Sequence, residues 1–311
     1  MSWFSFLFTR KPRSSTITQT SSSFKSQQEI PTLPTLGLND ESGRRYRDDT
    51  PYMLPKDMEE INRLDFQHFA LRSSLQGNYL APINKSAPPR TILDVGSGSG
   101  IWGYEMCKEF PGSQIFGFDL EALKDNPPAN YHFHQGNLLE GLPFEANSMD
   151  YVHQRLLMGA LPATAWPEVT KELARVVRPG GWVELFEVDG ECFVPAGPVG
   201  RIFIDNLQKV ALMRGIDILI GKNLDTYLKD AGLINVVKRQ VDLPLGDWAG
   251  RIGSLMKKDL IPLFYTFRDP FMRTLNISAE KFDEMHATMI QEWESYHPTT
   301  GFYSIIGQKP V

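Results

Sequence analysis

Three glycines at alternate positions, Gly96, Gly98 and Gly100, follow Asp94, and a second acid, Asp119, lies about twenty residues further on. Glycine takes positive φ without a Cβ penalty and lets the backbone approach a bound molecule closely. A helix opening after Gly100 presents N–H groups that have no partner within the helix. Gly96 to Gly100, with Ser97 between the first two glycines, therefore read as a cradle for a polar ligand. Asp94 would repel a pyrophosphate but favour a ligand that carries an ammonium group. The third glycine also arrives one residue earlier than in G-x-G-x-x-G, which argues against a nicotinamide dinucleotide. Asp119 sits where a carboxylate can accept the protons of two ribose hydroxyls. It also begins Asp-Leu-Glu-Ala-Leu, so helix capping is the competing role, and the two are compatible.

Two further groups could move a proton. His153, in Tyr151-Val152-His153-Gln154-Arg155, could accept one from a substrate heteroatom. The alternative is that it only shapes the pocket wall, because transfer from a good donor can run on proximity alone. Glu187, near the end of the apolar run Trp182 to Val188, is the second candidate base or orienting group, with a loop salt bridge as its alternative. Arg155 serves the site or the structure equally well. His132 and His134 share one face of a strand, but no Cys, His or Asp cluster accompanies them at ligand spacing, so no metal is expected and sheet packing is.

These residues need a sheet to hold them. The run from Thr91 up to the glycines, Gln114–Asp119, a short strand followed by a turn over Tyr131–Leu138, a fourth strand with its carboxyl-end loop over Leu142–Phe144 and Asn147–Arg155, and Trp182–Val188 read as strands, separated by helical stretches after Gly100 and over Trp166–Val177. Arg178-Pro179-Gly180-Gly181 stops the last of those helices and permits a reversal into the sheet. Beyond Pro198, helices over 199–215 and 223–231 lead to a sixth strand from Ile234 to Val241, and the last strand is expected over Phe302–Gln308. The interval 242–301 is too long for a plain hairpin and must carry structure of its own. Its aromatics, Trp248, Phe264, Tyr265, Phe267, Trp293 and Tyr296, suit a small satellite core, with a water-excluding cover over the site as the functional alternative. Before the glycines, Met58 to Leu80 reads as a helix burying Ile61, Leu64, Phe66, Phe69, Leu71 and Leu75, with Arg63, Asp65 and His68 as solvated neighbours.

The 311 residues, 41% hydrophobic and 22% charged, suffice for one large domain with an insertion. A net charge of -5 gives no general attraction to nucleic acid. Two cysteines, Cys107 and Cys192, make no disulfide framework and favour a reducing compartment, the cytoplasm with the nucleus as second choice. Trp3 to Phe8 is apolar but far too short to span a bilayer, and no transmembrane segment is expected. The Ser/Thr-rich stretch that follows reads as a disordered tail over 1–42, with an organellar transit segment as the alternative.

Asp94-x-Gly96-x-Gly98-x-Gly100 resembles the first motif of the class I S-adenosylmethionine (SAM) methyltransferases. Tyr52-x-Leu54-Pro55-x-Asp57, Arg63-Leu64-Asp65-x-x-His68, His153-x-Arg155 and Pro244-x-Gly246-x-Trp248 resemble segments of the fungal velvet-complex-type regulators of secondary metabolism and their related methyltransferases. The resemblance implies SAM as cofactor, with Asp119 and Leu120 at the ribose, and Asn137, where class I enzymes usually have Asp, beside Leu138 at the adenine. It also implies that the 58–80 helix closes over the cofactor, with Arg45 or Tyr46 lining the site. The expected protein is an α/β Rossmann-like, doubly wound, seven-stranded sheet whose last strand is antiparallel. It has a helical cover over 43–90, a methyltransferase domain over 91–311 and an inserted helical lid at about 242–301. The expected reaction is methyl transfer to an O, N or C nucleophile of a small metabolite. A regulator of the same fold, acting through a protein partner or on a protein substrate, is the alternative, and a nicotinamide oxidoreductase is the outside rival.

Overall fold

A computed structural model of the chain describes residues 58–121 and 127–311. The expected tail, Arg45, Tyr46 and the Tyr-x-Leu-Pro-x-Asp segment lie outside the described residues. Seven strands form one sheet: β1 (Thr91–Val95), β2 (Gln114–Asp119), β3 (Tyr131–Gln135), β4 (Met149–Arg155), β5 (Val177–Val194), β6 (Ile234–Pro244) and β7 (Thr299–Gln308), in the spatial order β3-β2-β1-β4-β5-β7-β6. The neighbours from β3 to β5 pair parallel, whereas β7 runs antiparallel to both β5 and β6. This is the Rossmann-like, seven-stranded arrangement with an antiparallel last strand that the sequence led us to expect. Chain order reverses between β1 and β4, which opens a crevice at their carboxyl ends.

The helices are α1 (Met58–Leu75), α2 (Ile101–Glu109), α3 (Trp166–Val176), α4 (Pro198–Met213), α5 (Leu224–Asp230), α6 (Gly250–Tyr265), α7 (Arg268–Leu275) and α8 (Ala279–Tyr296). Strands β1 and β4 are buried almost throughout, because helices cover both faces of the sheet; their sequences accordingly read as apolar runs. On one face α3 and α5 bring Trp166, Leu173 and Leu228 onto Val152 and Leu185. On the other, Trp102 and Met106 of α2 pack against Ile92 and Tyr151. A third cluster joins Phe186 and Phe302 of the sheet to α4, α6, α7 and α8 through Phe203, Phe264, Phe271 and Trp293. The interval between β6 and β7 thus holds three helices and shares a core with α4. Phe264, Phe267 and Trp293 are in that core, while Trp248, Tyr265 and Tyr296 are exposed.

Three local expectations need correction. Helix α1 ends at Leu75, short of Leu80, because Gln76 turns into the left-handed region at φ 56° ahead of Gly77. Strand β5 starts at Val177, which pairs with Met149; the register then shifts around Gly180 (φ 77°) and resumes at Tyr151 and Trp182, so Arg-Pro-Gly-Gly is a bulge inside the strand. The inward face of α1 is also not the apolar stripe alone. Arg63 is 8% and His68 0% exposed, whereas Phe69 is 47% exposed. Partners contributed from elsewhere in the chain, described below, make that burial tolerable.

Candidate active site

The glycine loop joins β1 to α2 at the mouth of the crevice. Gly96, Gly98 and Gly100 all have positive φ (71°, 54° and 82°), the conformation their alternation required. The N–H groups of Gly96 and Ser97 both donate to the Phe118 carbonyl at the end of β2, and Gly100 N–H donates to the Ser97 carbonyl. The loop is therefore tied to the strand that carries Asp119. One Asp119 oxygen accepts from Gly98 N–H at 2.8 Å and the other from Glu121 N–H at 3.0 Å. Burial pushes this carboxyl above the usual range, and those N–H donors pull it back. A carboxylate beside a glycine backbone, with both oxygens already used as acceptors of N–H donors, is of the right type for a vicinal diol. The residues present fit the ribose of a nucleoside cofactor.

Neighbouring side chains close the loop from two sides. A methyl group added at Gly96 would meet Leu157, in the loop after β4, at 2.5 Å, and one added at Gly98 would meet Leu64 of α1 at 3.6 Å. Asp65 of α1 accepts a hydrogen bond from the Ser99 hydroxyl. Helix α1 therefore lies against the glycine loop. It is fastened there by Arg63, whose Nη1 is 2.8 Å from Asp259 Oδ1 of α6, and by Gln67, whose Nε2 is 2.9 Å from the other oxygen. Asp259 is 1% exposed. His68 of the same helix lies 2.9 Å from Arg155 at the end of β4 through its Nδ1. Burial, reinforced by the Arg155 charge, pushes His68 down to about 3, so it accepts from the guanidinium as a neutral ring. Burial also lowers Arg155 somewhat, and the fields of Asp94 and Asp259 oppose that.

The two candidate bases both lie inside the protein. His153 is 2% exposed, and its Nδ1 is 2.9 Å from Asp94 Oδ1; Asp94 itself is 3% exposed. Glu187 is fully buried, and its oxygens accept the N–H groups of Leu157 at 2.8 Å and Met158 at 3.1 Å. Through Leu157 it supports the residue that packs on Gly96. Burial raises Glu187 to about 7 against 4.5 for a free side chain. Between those values the folded chain holds a proton that the unfolded chain has lost, so this group makes stability fall as the pH rises from 4.5 toward 7. Glu187→Gln is neutral throughout and sets an amide donor against a backbone donor, at a cost of about 1–3 kcal/mol. Urea denaturation at pH 5 and pH 7.5 should show that cost shrinking at the higher pH; a cost that is equal or larger there would refute the assignment.

Asn137 caps the short 3-10 turn Leu138–Glu140, accepting from Leu139 N–H at 3.1 Å, and Leu120 and Leu138 are both half-buried nearby in sequence to Asp119 and Asn137. His132 contacts Gln114 at 2.6 Å, and both His132 and His134 pack near the Phe116 ring. Among the described residues no group of three His, Cys, Asp or Glu is arranged to hold a metal. Sequence reasoning missed Trp102, Leu157, Glu184 and Asp259. Glu184 accepts from the N–H groups of Leu80 and Ala81 and from the Tyr151 hydroxyl, pinning the segment after α1 to the sheet. An acid in the middle of an apolar strand was its available signal. Trp102 and Leu157 carried none, since both read as ordinary core.

A family model described as a methyltransferase domain matches residues 92–181, the stretch from β1 into β5. The chain is 33% identical over 201 residues to Methyltransferase str2 of Strobilurus tenacellus, covering 63% of this chain and 72% of that one. It is 27% identical over 271 residues to N-methyltransferase sirN of Leptosphaeria maculans, covering 84% and 95%. Over 220 residues it is 29% identical to the secondary metabolism regulator laeA of Aspergillus flavus, covering 67% of this chain and 58% of that one.

Proposed function

The chain belongs to the class I SAM-dependent methyltransferases, among the fungal proteins of secondary metabolism, and from that premise we propose that it methylates an O, N or C nucleophile of a small metabolite. The observation that carries the reading is the join of the three positive-φ glycines to Asp119 through Gly98 N–H. In this reading Asp94, Gly96, Ser97, Gly98 and Gly100 hold the amino-acid end of SAM, Asp119 and Leu120 the ribose, and Asn137 and Leu138 the adenine. When bound, the cofactor supplies an electrophilic methyl on a sulfonium. The chain's own contribution is orientation and exclusion of water: α1 covers the loop through Leu64 and Asp65, and α6 holds α1 down through Asp259. In this reading the crevice end of β4 and the loop after it face the acceptor, and Arg155 holds α1 there through His68. Proximity carries the transfer, and Glu187 serves it by shaping the Leu157 loop.

A metabolite acceptor is supported by the relatives named N-methyltransferases, and the likeness to laeA supports a regulatory alternative in which the fold acts through a protein partner. No helix among the described residues is long and apolar enough to cross a membrane. Two buried, unpaired cysteines support a reducing compartment, the cytoplasm or the nucleus.

Calorimetric titration with S-adenosylhomocysteine (SAH), SAM and NADH tests the cofactor. SAH and SAM should saturate and NADH should not, and Asp119→Ala should weaken SAH by at least about 100-fold, since two hydrogen bonds to a charged group are worth about 3 kcal/mol or more. Failure of the wild-type chain to bind SAH or SAM would sink the proposal. Labelled SAM added to cell extract then separates the two acceptors: label in a small product supports the enzyme of metabolites, and label on protein, or on nothing, supports the regulator.

A further inference from the structure

We propose that His153 is a positioning residue that clamps both ends of the glycine loop, holding the acid before it and the helix after it; this rests on the reading that the loop binds SAM. Strands β1 and β4 are parallel neighbours with Asp94 opposite His153, so the two side chains share one face. The His153 Nδ1 donates to Asp94 Oδ1 at 2.9 Å, since a carboxylate oxygen only accepts. On the other side, the imidazole lies flat on the Trp102 indole, with centroids 3.8 Å apart and planes 4° from parallel. Trp102 is the second residue of α2, is 2% exposed, and is itself fixed by its Nε1 donating to the Asn78 carbonyl at 2.7 Å. One ring thus touches the residue two before Gly96 and the residue two after Gly100.

The physical need for such a clamp follows from the loop's composition. Three glycines in five residues give the free loop more conformational freedom than residues with a Cβ at those positions would, and a cofactor that had to order it would bind more weakly. Fixing the two flanks fixes the separation and direction of the loop's ends before the ligand arrives. The same geometry commits the Nδ1 of His153 to Asp94 and away from the acceptor. A base must reach the acceptor's proton within hydrogen-bond distance. This ring is 2% exposed, has Nδ1 committed to Asp94, and sits among Trp102, Tyr151 and the buried Glu184 that pairs opposite it on β5.

Two nearly isosteric replacements read this out, because an Asn amide overlies the Nδ1 position of histidine and a Gln amide the Nε2 position. His153→Asn keeps a donor to Asp94 but loses the ring on Trp102, and SAH should weaken by no more than about five-fold; His153→Gln loses both contacts, and SAH should weaken by about twenty-fold or more. A residue that merely fills space, or a base acting on the acceptor, gives no such order. Equal affinities in all three chains, or Gln binding more tightly than Asn, would overturn the proposal. Should either variant not fold, the imidazole nitrogen NMR spectrum of the wild-type chain decides: Nδ1 should carry a slowly exchanging proton with and without SAH. A rapidly exchanging Nδ1 proton in the free protein would equally overturn it. If the wild-type chain binds no SAH at all, the cofactor reading fails instead, and that outcome is separate from any difference between the variants.

Discussion

Asp259→Ala is expected to destabilise the fold by about 3–5 kcal/mol, the cost of breaking a buried ion pair by removing one of its charges. Arg63 and Asp259 lie 196 residues apart in the chain, at 2.8 Å, with 8% and 1% of their surfaces exposed. Removing the carboxylate takes an ion-pair partner from Arg63 and also deprives Gln67 of its acceptor. Replacing both ions with apolar residues of similar volume, Arg63→Met with Asp259→Leu, should recover most of the loss, because the desolvation penalty of both charges disappears together. Urea denaturation of the single and double variants measures this directly. SAH affinity should fall with the single variant as well, since the helix released from α6 carries Leu64 and Asp65 to the glycine loop. A loss below about 1 kcal/mol would mean that the pair behaves as a solvated surface bridge.

Acidification should expose His68 as a weak point of the cover. This ring titrates at about 3 in the folded chain and 6.5 when free. Below 6.5 the unfolded chain therefore takes up a proton that the folded chain refuses. The contribution is fully present above that pH and is lost as the pH falls toward 3. Each pH unit in that window is worth about 1.4 kcal/mol, which amounts to about 3 kcal/mol between pH 7 and pH 4. His68→Asn can still accept from Arg155 and cannot be protonated, so the stability difference between wild type and variant should move by that amount in the variant's favour as the pH drops. Carboxylates that lose their partners in acid do so in both chains and cancel in the difference. A difference that stays constant with pH would show His68 to be hydrated and free to charge.

What the sequence determined by itself was local or periodic. The alternate glycines could serve only a loop of positive φ, and Asp94 with Asp119 at their intervals argued for a nucleoside cofactor with an ammonium group. Apolar runs located six of the seven strands to within a few residues, and the length of 242–301 required structure between the last two. The fifth strand escaped in part, since Pro179 and the two glycines after it signalled a stop where the sheet absorbs them as a bulge.

Tertiary structure alone decided what the polar residues do. In sequence Arg63 and His68 look like the solvated flank of an amphipathic helix, and Asp259, beside Lys257 and Lys258, looks like one member of a surface charge run. They are buried because Arg63 and Asp259 meet between α1 and α6 and His68 meets Arg155 at the end of β4, and no short-range pattern records a partner 87 or 196 residues away. His153 carries the same lesson for chemistry. Its residue type and its place at the end of β4 suggested a base, but which nitrogen is engaged, and by what, depends on the register of β4 against β1 and on how Trp102 of α2 lies over them. A residue's type limits which protons it can carry; its packing decides whether a substrate can ever reach them.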